Sequence, residues 1–412
     1  MSSLQAVRGT KDLFGDEIIL FNAIVNLAKT KAQSYAFKEL QTPIFEFSEV
    51  FERNLGEASD IITKEVYKFP DRSNNFLTLR PEFTAAIVRA FISNGELQQT
   101  LPQKFFSYGP IFRYDRPQKG RQRQFHQINF EIFGEKNYFC DVELMLLAHS
   151  ILKDLQLDKE VTLHLNSLGC NATKAKYEEA LKSYFSKFKE ELSFDSKVRL
   201  EKNPLRILDS KEVQDIKIAQ SAPLISDFFS VEAKTDFDKI QNLLTKFSLP
   251  FVVNSRLVRG LDYYTSTVFE FVMQHEGAQN TVLAGGRYDG LVEKMGGKTT
   301  PAIGFAAGVE RLMLLMKSLP KKQRPITVAY ISDEQKNYAF EIVQTLRSQG
   351  LMAEFFCEGN FKKQMKKASQ NESQFVLIIG EDEQKNNEVT VKNFDNSQET
   401  RVKTEQLLSV LK

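Results

Sequence analysis

The chain has 412 residues, 42% of them apolar and 26% charged, with a formal net charge of +2. That length exceeds one compact core and predicts two or three domains, while the near-neutral balance excludes a globally basic nucleic-acid binder, so any such surface must be a local patch. Three scattered cysteines (Cys140, Cys170, Cys357) with no CxxC pair exclude a zinc or disulfide framework and fit a reducing compartment. No apolar run approaches the roughly 20 residues that cross a bilayer, and the first residues lack the apolar centre of a secretory signal. The expectation is a cytoplasmic protein.

In chain order, the first helical pattern runs from Asp16 to Tyr35, with Ile18, Phe21, Ile24, Val25 and Ala28 on its apolar face. A strand candidate follows at Phe37–Leu40, and Thr42-Pro43 starts a new segment. Leu79-Arg80-Pro81-Glu82-Phe83-Thr84 leads into a helix at Ala85–Phe91. Thr84 suits an N-cap there, and Glu82 a favourable charge near a helix N-terminus. A carboxylate beside a hydroxyl could equally receive an ammonium group, and both readings stay open on this segment.

Residues 105–113 and 124–133 read as two strands rich in Phe and Ile, joined by a polar, basic loop from Tyr114 to Arg123. This is the pattern of an antiparallel hairpin with a long functional loop. Residues 112–127 set five Arg and Lys side chains against the single acid Asp115. A solvated charged loop is the plain alternative. Against it, Arg113 ends an apolar strand, which holds its guanidinium at a rigid edge suited to bidentate phosphate contact. On the returning strand Gln127, Asn129 and Glu131 alternate and so share one face. Polar residues on one face of an apolar strand are costly unless that face lines a polar site or meets water. A nucleotide plus a small polar substrate is the chemistry this pattern suggests.

From about 171 to 248 the composition shifts to Lys, Glu and Ser at helical spacing, as for an insertion between two halves of one domain. Strand-like, Gly-rich segments return at 251–316. Arg259-Gly260-Leu261-Asp262-Tyr263-Tyr264 precedes a strand at Thr267–Met273, Gly285-Gly286-Arg287-Tyr288-Asp289-Gly290 follows, and Gly304–Leu312 places small residues before a helix bearing Arg311. Taken singly, these suit aromatic packing, a tight turn and close helix packing as well as a ligand site. Leu319–Pro325 is polar with a proline near each end, a linker candidate. Beyond it, strands at Ile326–Ile331, Ala353–Phe356 and Phe375–Gly380 alternate with helices at Glu334–Gln349 and Phe361–Ser369. That alternation predicts a small α/β domain with a largely parallel sheet.

Together and in this order, these segments resemble the three signature motifs of class II aminoacyl-tRNA synthetases, and most closely the histidyl-tRNA synthetase family. The resemblance is carried by Arg8–Asp12, Thr42–Glu46, the loop Arg116–Gln127, Arg259–Tyr264, Gly285–Val292 and Gly304–Leu312; it extends through Asn203–Asp209 to Lys363–Ala368 and Ile379–Glu383. It implies an α+β fold. A class II antiparallel six-stranded sheet with helices and a helical insertion (about 171–248) would form a catalytic domain over residues 1–320. A linker at 321–325 and a C-terminal α/β anticodon-binding domain over 326–412 would follow. The implied reaction is activation of L-histidine with ATP, then transfer of histidine to the 3′ end of tRNA(His). ATP would act as substrate with Mg²⁺, with no tightly bound cofactor and no protein metal site. A homodimer through the segment around Pro43 is also implied, and no membrane partner.

The family's roles fall on matching positions. Arg113, Arg259 and Arg311 would be catalytic and bind ATP: Arg113 at the α-phosphate and carboxylate region, Arg259 on the other side of that phosphate, Arg311 at the γ-phosphate. Glu82, Thr84 and Gln127 would hold the α-ammonium, and Glu131 and Tyr264, helped by Tyr263 and Tyr288, would read the imidazole. Arg113 and Arg259 also count among the histidine-binding residues. Arg116, Gln118, Lys119, Arg121 and Arg123 would meet the tRNA acceptor end, and Lys362, Lys363, Lys366 and Lys367 would face anticodon phosphates. Phe83 departs from the glycine of many bacterial relatives, and Ala36 from a common glycine. His126 is expected to be structural. The same fold serves regulatory subunits of ATP phosphoribosyltransferase, which generally lack the anticodon-binding domain and parts of the Arg259–Tyr264 and Arg311 motifs; this chain keeps them all.

Overall fold

Apolar alternation builds the central hairpin. Gln103–Phe112 pairs antiparallel with Gln124–Phe133 in the register Phe106↔Phe130 and Gly109↔Gln127, so odd and even residues of the second strand face opposite sides. This description rests on a computed structural model, which describes residues 4–52, 65–98, 100–118, 120–274, 281–318 and 322–411. The chain divides into two compact units, Met1–Leu319 and Pro320–Lys412.

In the first unit the hairpin sits inside an eight-stranded sheet. Its interior runs, in spatial order, through Gln103–Phe112, Gln124–Phe133, Ala302–Gly308, Thr281–Arg287, Thr265–Met273 and Val161–Ser167, every neighbour antiparallel. The expectation of six antiparallel strands therefore describes the interior and misses both edges. Lys38–Glu39 and Phe251–Val253 add short strands, each parallel to its neighbour, and make the sheet mixed. Their pairing satisfies backbone groups that the outer strands would otherwise leave open. A separate three-stranded sheet joins Phe45–Phe47, Phe76–Leu79 and Tyr67–Pro70.

The large sheet separates two cores. On one face Ile128, Phe130 and Ile132 pack with helices Asp16–Ser34 and Phe139–Asp154. Helix Val231–Lys246, whose composition groups it with the insertion, joins this core through Phe237, Ile240 and Leu244. Within the expected insertion, this helix therefore packs apart from the helices on the other face. On that other face Phe105, Ile111 and Phe133 share a core with helix Thr84–Ser93 and with Tyr177, Leu181 and Leu200 of helices Asn171–Ser186 and Phe194–Lys202. Because Gln127, Asn129 and Glu131 lie on the same side as Phe133, the polar row opens toward this second core.

The second unit holds a five-stranded sheet in the order Ala353–Phe355, Ile326–Tyr330, Phe375–Ile379, Glu388–Asn393, Glu399–Lys403. The first three are parallel, as expected from their crossover helices Lys336–Ser348 and Phe361–Gln370. The last two pair antiparallel, so the sheet is mixed rather than largely parallel: their short connection allows a hairpin and no crossover.

Candidate active site

The cleft is built around Glu131, which is 1% exposed. A Cβ at Gly304, its cross-strand partner, would lie 1.5 Å from Glu131 Oε2; glycine leaves the space that the carboxylate fills. Thr84 Oγ1 donates to Glu131 Oε1 at 2.6 Å, and the Tyr288 hydroxyl donates to Oε2 at 2.5 Å. Burial raises this carboxyl to about 7, against the pull of hydrogen bonds from Thr84, Tyr288 and Asn129. Tyr263 hydrogen-bonds to Thr84 and Tyr264 to Tyr263, and the Tyr263 ring lies 4.7 Å from Tyr264 and 5.6 Å from Tyr288. The result is a buried polar cluster centred on the Glu131 carboxylate.

Of the readings left open by the sequence, Glu82 takes the capping one. Its oxygens accept the backbone N–H of Thr84 (2.6 Å) and Ala85 (2.7 Å), so Glu82 rather than Thr84 caps the helix. Its carboxyl is raised by burial, opposed by those N–H groups, and it still lines the cleft. Phe83 is fully buried, with its ring 4.2 Å from the Arg80 guanidinium. Arg80 in turn donates to the carbonyls of Pro110 and Thr42. The bulky side chain is thus received by packing that also leaves only glycine room at Gly109, where a Cβ would meet Arg80 Nη2 at 2.7 Å. Gln127 lines the cleft with a buried Oε1 that has no partner.

The same cleft, of about 700 Å³, is also lined by Arg113, Arg121, Arg259 and Arg311. Arg113 donates from Nε to the Pro81 carbonyl at 2.8 Å and stands over the Phe125 ring. Arg311 donates to the Thr281 carbonyl. Burial pulls the Arg311 guanidinium below its usual range, and the nearby charges of Arg121 and Arg113 add to that. Cations that repel one another along one cleft are relieved by a polyanion. Arg259 pairs with Glu270, a carboxylate that also accepts the Thr281 hydroxyl at 2.9 Å. Glu270 is absent from the sequence-derived set, although an acid within the apolar strand Thr265–Met273 was a visible signal.

The basic loop divides. Arg121 is pinned by Asp115 at 2.8 Å and faces the cleft, because the chain turns back between Gln118 and Arg121. Arg116 and Gln118 are exposed and do not line it. Arg123 stacks on the Tyr114 ring and packs against the position of Gly9. Lys119 lies outside the described residues. His126 binds Glu310 at 2.7 Å through Nδ1 and through its backbone N–H at 2.8 Å, which ties the central hairpin to the helix carrying Arg311.

The family model for histidyl-tRNA synthetase matches residues 9–312, and that for an anticodon binding domain matches residues 325–412. A histidine–tRNA ligase of Wolbachia pipientis subsp. Culex pipiens is 50% identical over 97% of each chain. The crystal structure of apo histidyl-tRNA synthetase from S. aureus superposes with a TM-score of 0.83 at 31% identity over 99% of each chain. A Bacillus halodurans protein described as an ATP phosphoribosyltransferase regulatory subunit/histidyl-tRNA synthetase shares the fold at 20% identity, with a TM-score of 0.66 over 92% of this chain and 99% of that one.

Proposed function

The chain belongs to the histidyl-tRNA synthetase family, and from that premise we propose how its cleft divides the work. It is an aminoacyl-tRNA synthetase that activates L-histidine with ATP to histidyl-adenylate and pyrophosphate, then transfers histidine to tRNA(His). The observation that carries the division is one cleft lined both by four arginines and by the buried Glu131–Thr84–Tyr288 cluster. The polyanion goes to the arginines and the amino acid side chain to the cluster.

Glu131 and Tyr264 read the imidazole, supported by Tyr263 and Tyr288, while Glu82, Thr84 and Gln127 take the α-ammonium. The unpartnered Gln127 oxygen supports that placement. A site built to hydrogen-bond its substrate leaves its own groups unpaired around an apolar isostere and discriminates by about 10⁴ or more. Pyrophosphate exchange measured with each of the twenty amino acids should therefore respond to histidine alone. Exchange with none of them, from folded protein, would move the reading to a regulatory or sensor protein on the same fold.

Arg113 and Arg259 flank the α-phosphate and Arg311 takes the γ-phosphate. Arg121, expected at the tRNA, joins them, since it faces the cleft beside Arg113 and Arg311. Mg²⁺ would enter with ATP and be held chiefly by the phosphates, since the cleft carboxylate Glu270 is taken up by Arg259 and the Thr281 hydroxyl. Bound there, Mg²⁺ would neutralise charge on the phosphates. Arg116, Gln118, Lys119 and Arg123 remain for the acceptor end of the tRNA. In the second unit Lys362, Lys363, Lys366 and Lys367 lie on the exposed side of helix Phe361–Gln370, opposite buried Gln364 and Ala368, a face suited to anticodon phosphates.

A second copy of this chain is the expected partner. In the three-stranded sheet, Phe45 pairs with Leu79 and Phe47 with Leu77, while Tyr67 and Phe69 sit opposite the same leucines. One face is therefore apolar, with Phe45, Phe47 and Phe69 at 53%, 54% and 40% exposed; contiguous patches of this kind mark interfaces. Phe45→Glu with Phe47→Glu should convert the dimer to monomer in sedimentation velocity. A wild-type monomer at micromolar concentration, or an unaltered dimer in the variant, would reject this surface.

A further inference from the structure

The segment carrying Arg259, Tyr263 and Tyr264 is held largely by the insertion. Lys174, on helix Asn171–Ser186, donates to the carbonyls of Asp262 (3.0 Å) and Tyr264 (3.3 Å). Asn203 accepts the Leu205 N–H at 3.1 Å, which caps the turn Pro204–Asp209, and donates its amide to Asp262 Oδ1 at 2.9 Å. Arg256 donates to the carbonyls of Gln220 and Ala222 at 2.6 and 3.2 Å. Leu257, Val258, Tyr263 and Tyr264 share a buried core with Tyr177, Leu181, Leu205 and Ile207 of the insertion. From the sheet itself, Asn166 reaches the Leu257 carbonyl at 3.0 Å. Burial pushes the Asp262 carboxyl up, while Arg206 and Lys174 pull it back toward the charged form, so the junction is both dry and ionic.

We infer that Lys174 and Asn203 are positioning residues for histidine activation, holding the Arg259–Tyr264 segment in register over the cleft. The insertion is then part of the activation machinery. This rests on the roles proposed above for Arg259 and Tyr264. The physical basis is that a loop with φ/ψ freedom keeps a reacting geometry only while its backbone is anchored. Because the same segment carries Tyr263 and Tyr264 of the histidine pocket as well as Arg259, its misplacement costs histidine binding together with rate. The lysine supplies a fixed, charge-assisted pair of bonds to two carbonyls of the segment, and the asparagine clamps the one carboxylate between them.

The test needs no tRNA. Histidine-dependent pyrophosphate exchange is measured on the full-length protein, wild type against Lys174→Met, Asn203→Ala, Lys174→Arg and Lys189→Ala. Lys189 is an exposed insertion residue whose ion pair is with Glu201, away from the junction. Removing a charge-assisted bond should lower kcat/KM for histidine by about tenfold in Lys174→Met, and somewhat less in Asn203→Ala. The histidine KM should rise while that for ATP stays within about twofold. Lys174→Arg, which keeps donors, should recover most of the loss, and Lys189→Ala should match wild type. A fall in kcat with unchanged histidine KM that disappears once rates are normalised to titrated active sites would report only lost active protein and overturns the inference. So do wild-type kinetics in both junction variants, or equal damage in Lys189→Ala. Absence of histidine exchange in the wild type would instead reject the functional reading itself.

Discussion

In Arg259→Ala the rate of histidyl-adenylate formation falls by about 10²–10³, the loss typical when one pre-placed charge is removed from a transition state. The histidine carboxylate attacks the α-phosphorus in line, and negative charge spreads over the oxygens of the transferring group. A cation already fixed beside that group stabilises the added charge without reorganising. Arg259 meets that condition: Glu270 holds its Nη1, and the guanidinium stands 5.8 Å from the Tyr264 ring. Its Nε is buried and has no partner, a donor that an anion entering the cleft can satisfy. Arg113, Arg121 and Arg311 remain in the variant to bind the triphosphate, so the ATP KM should move by no more than about threefold, the pattern of an interaction made mainly in the transition state. The substitution also strips Glu270 of its guanidinium, leaving it the Thr281 hydroxyl, and a largely buried carboxylate without its ion-pair partner costs stability. Arg259→Lys separates the two effects, because it keeps a charge near Glu270 but loses the planar fork. Single-turnover formation of adenylate from radiolabelled ATP measures the step. Equal rates in variant and wild type would remove Arg259 from the chemistry.

What the sequence disclosed and what it withheld divide by range of interaction. The central hairpin is legible within a residue or two, since alternation from Phe105 to Phe133 is a local pattern. The parallel edge strands are not, because segments as short as Lys38–Glu39 and Phe251–Val253 carry no period, and only the neighbouring strand defines them. Helix Val231–Lys246 shows an apolar stripe, yet a stripe says that a face is buried and not which core receives it. The same limit applies in the site. Thr84, Gln127, Glu131 and Tyr288 could be placed through the family pattern, and the cleft brings them together. Arg121 reads as one more loop cation until the turn at Gln118 folds it inward. Glu270 stands out in its strand, but its pairing with Arg259 depends on how the segment between them is carried by the insertion.

Gly304→Ala is expected to lower histidine-dependent exchange by at least about 10², because losses of this size follow small displacements of positioning groups. The sequence leaves the small residues at 304–308 between close helix packing and a ligand site; the register gives Gly304 a definite task. Directly opposite Glu131 in the ladder, it has no room for a side chain: the added carbon would meet Glu131 Oε2 at 1.5 Å and the Phe130 carbonyl at 2.7 Å. The backbone of an interior strand is held on both sides, so the carboxylate must swing away, breaking the bonds from Thr84 and Tyr288 and leaving two buried hydroxyls to find new partners. Overpacking of this kind costs about 1–3 kcal/mol, and the pocket loses its central acceptor. Combining Gly304→Ala with Glu131→Ala distinguishes the cause. If the carboxylate is the obstacle, the double variant is more stable to denaturant than Gly304→Ala alone while remaining inactive, a coupling that contacting residues show and distant ones do not. A double variant no more stable than the single one would assign the strain to the Phe130 carbonyl, and Gly304 would then be a residue of the sheet rather than of the histidine pocket.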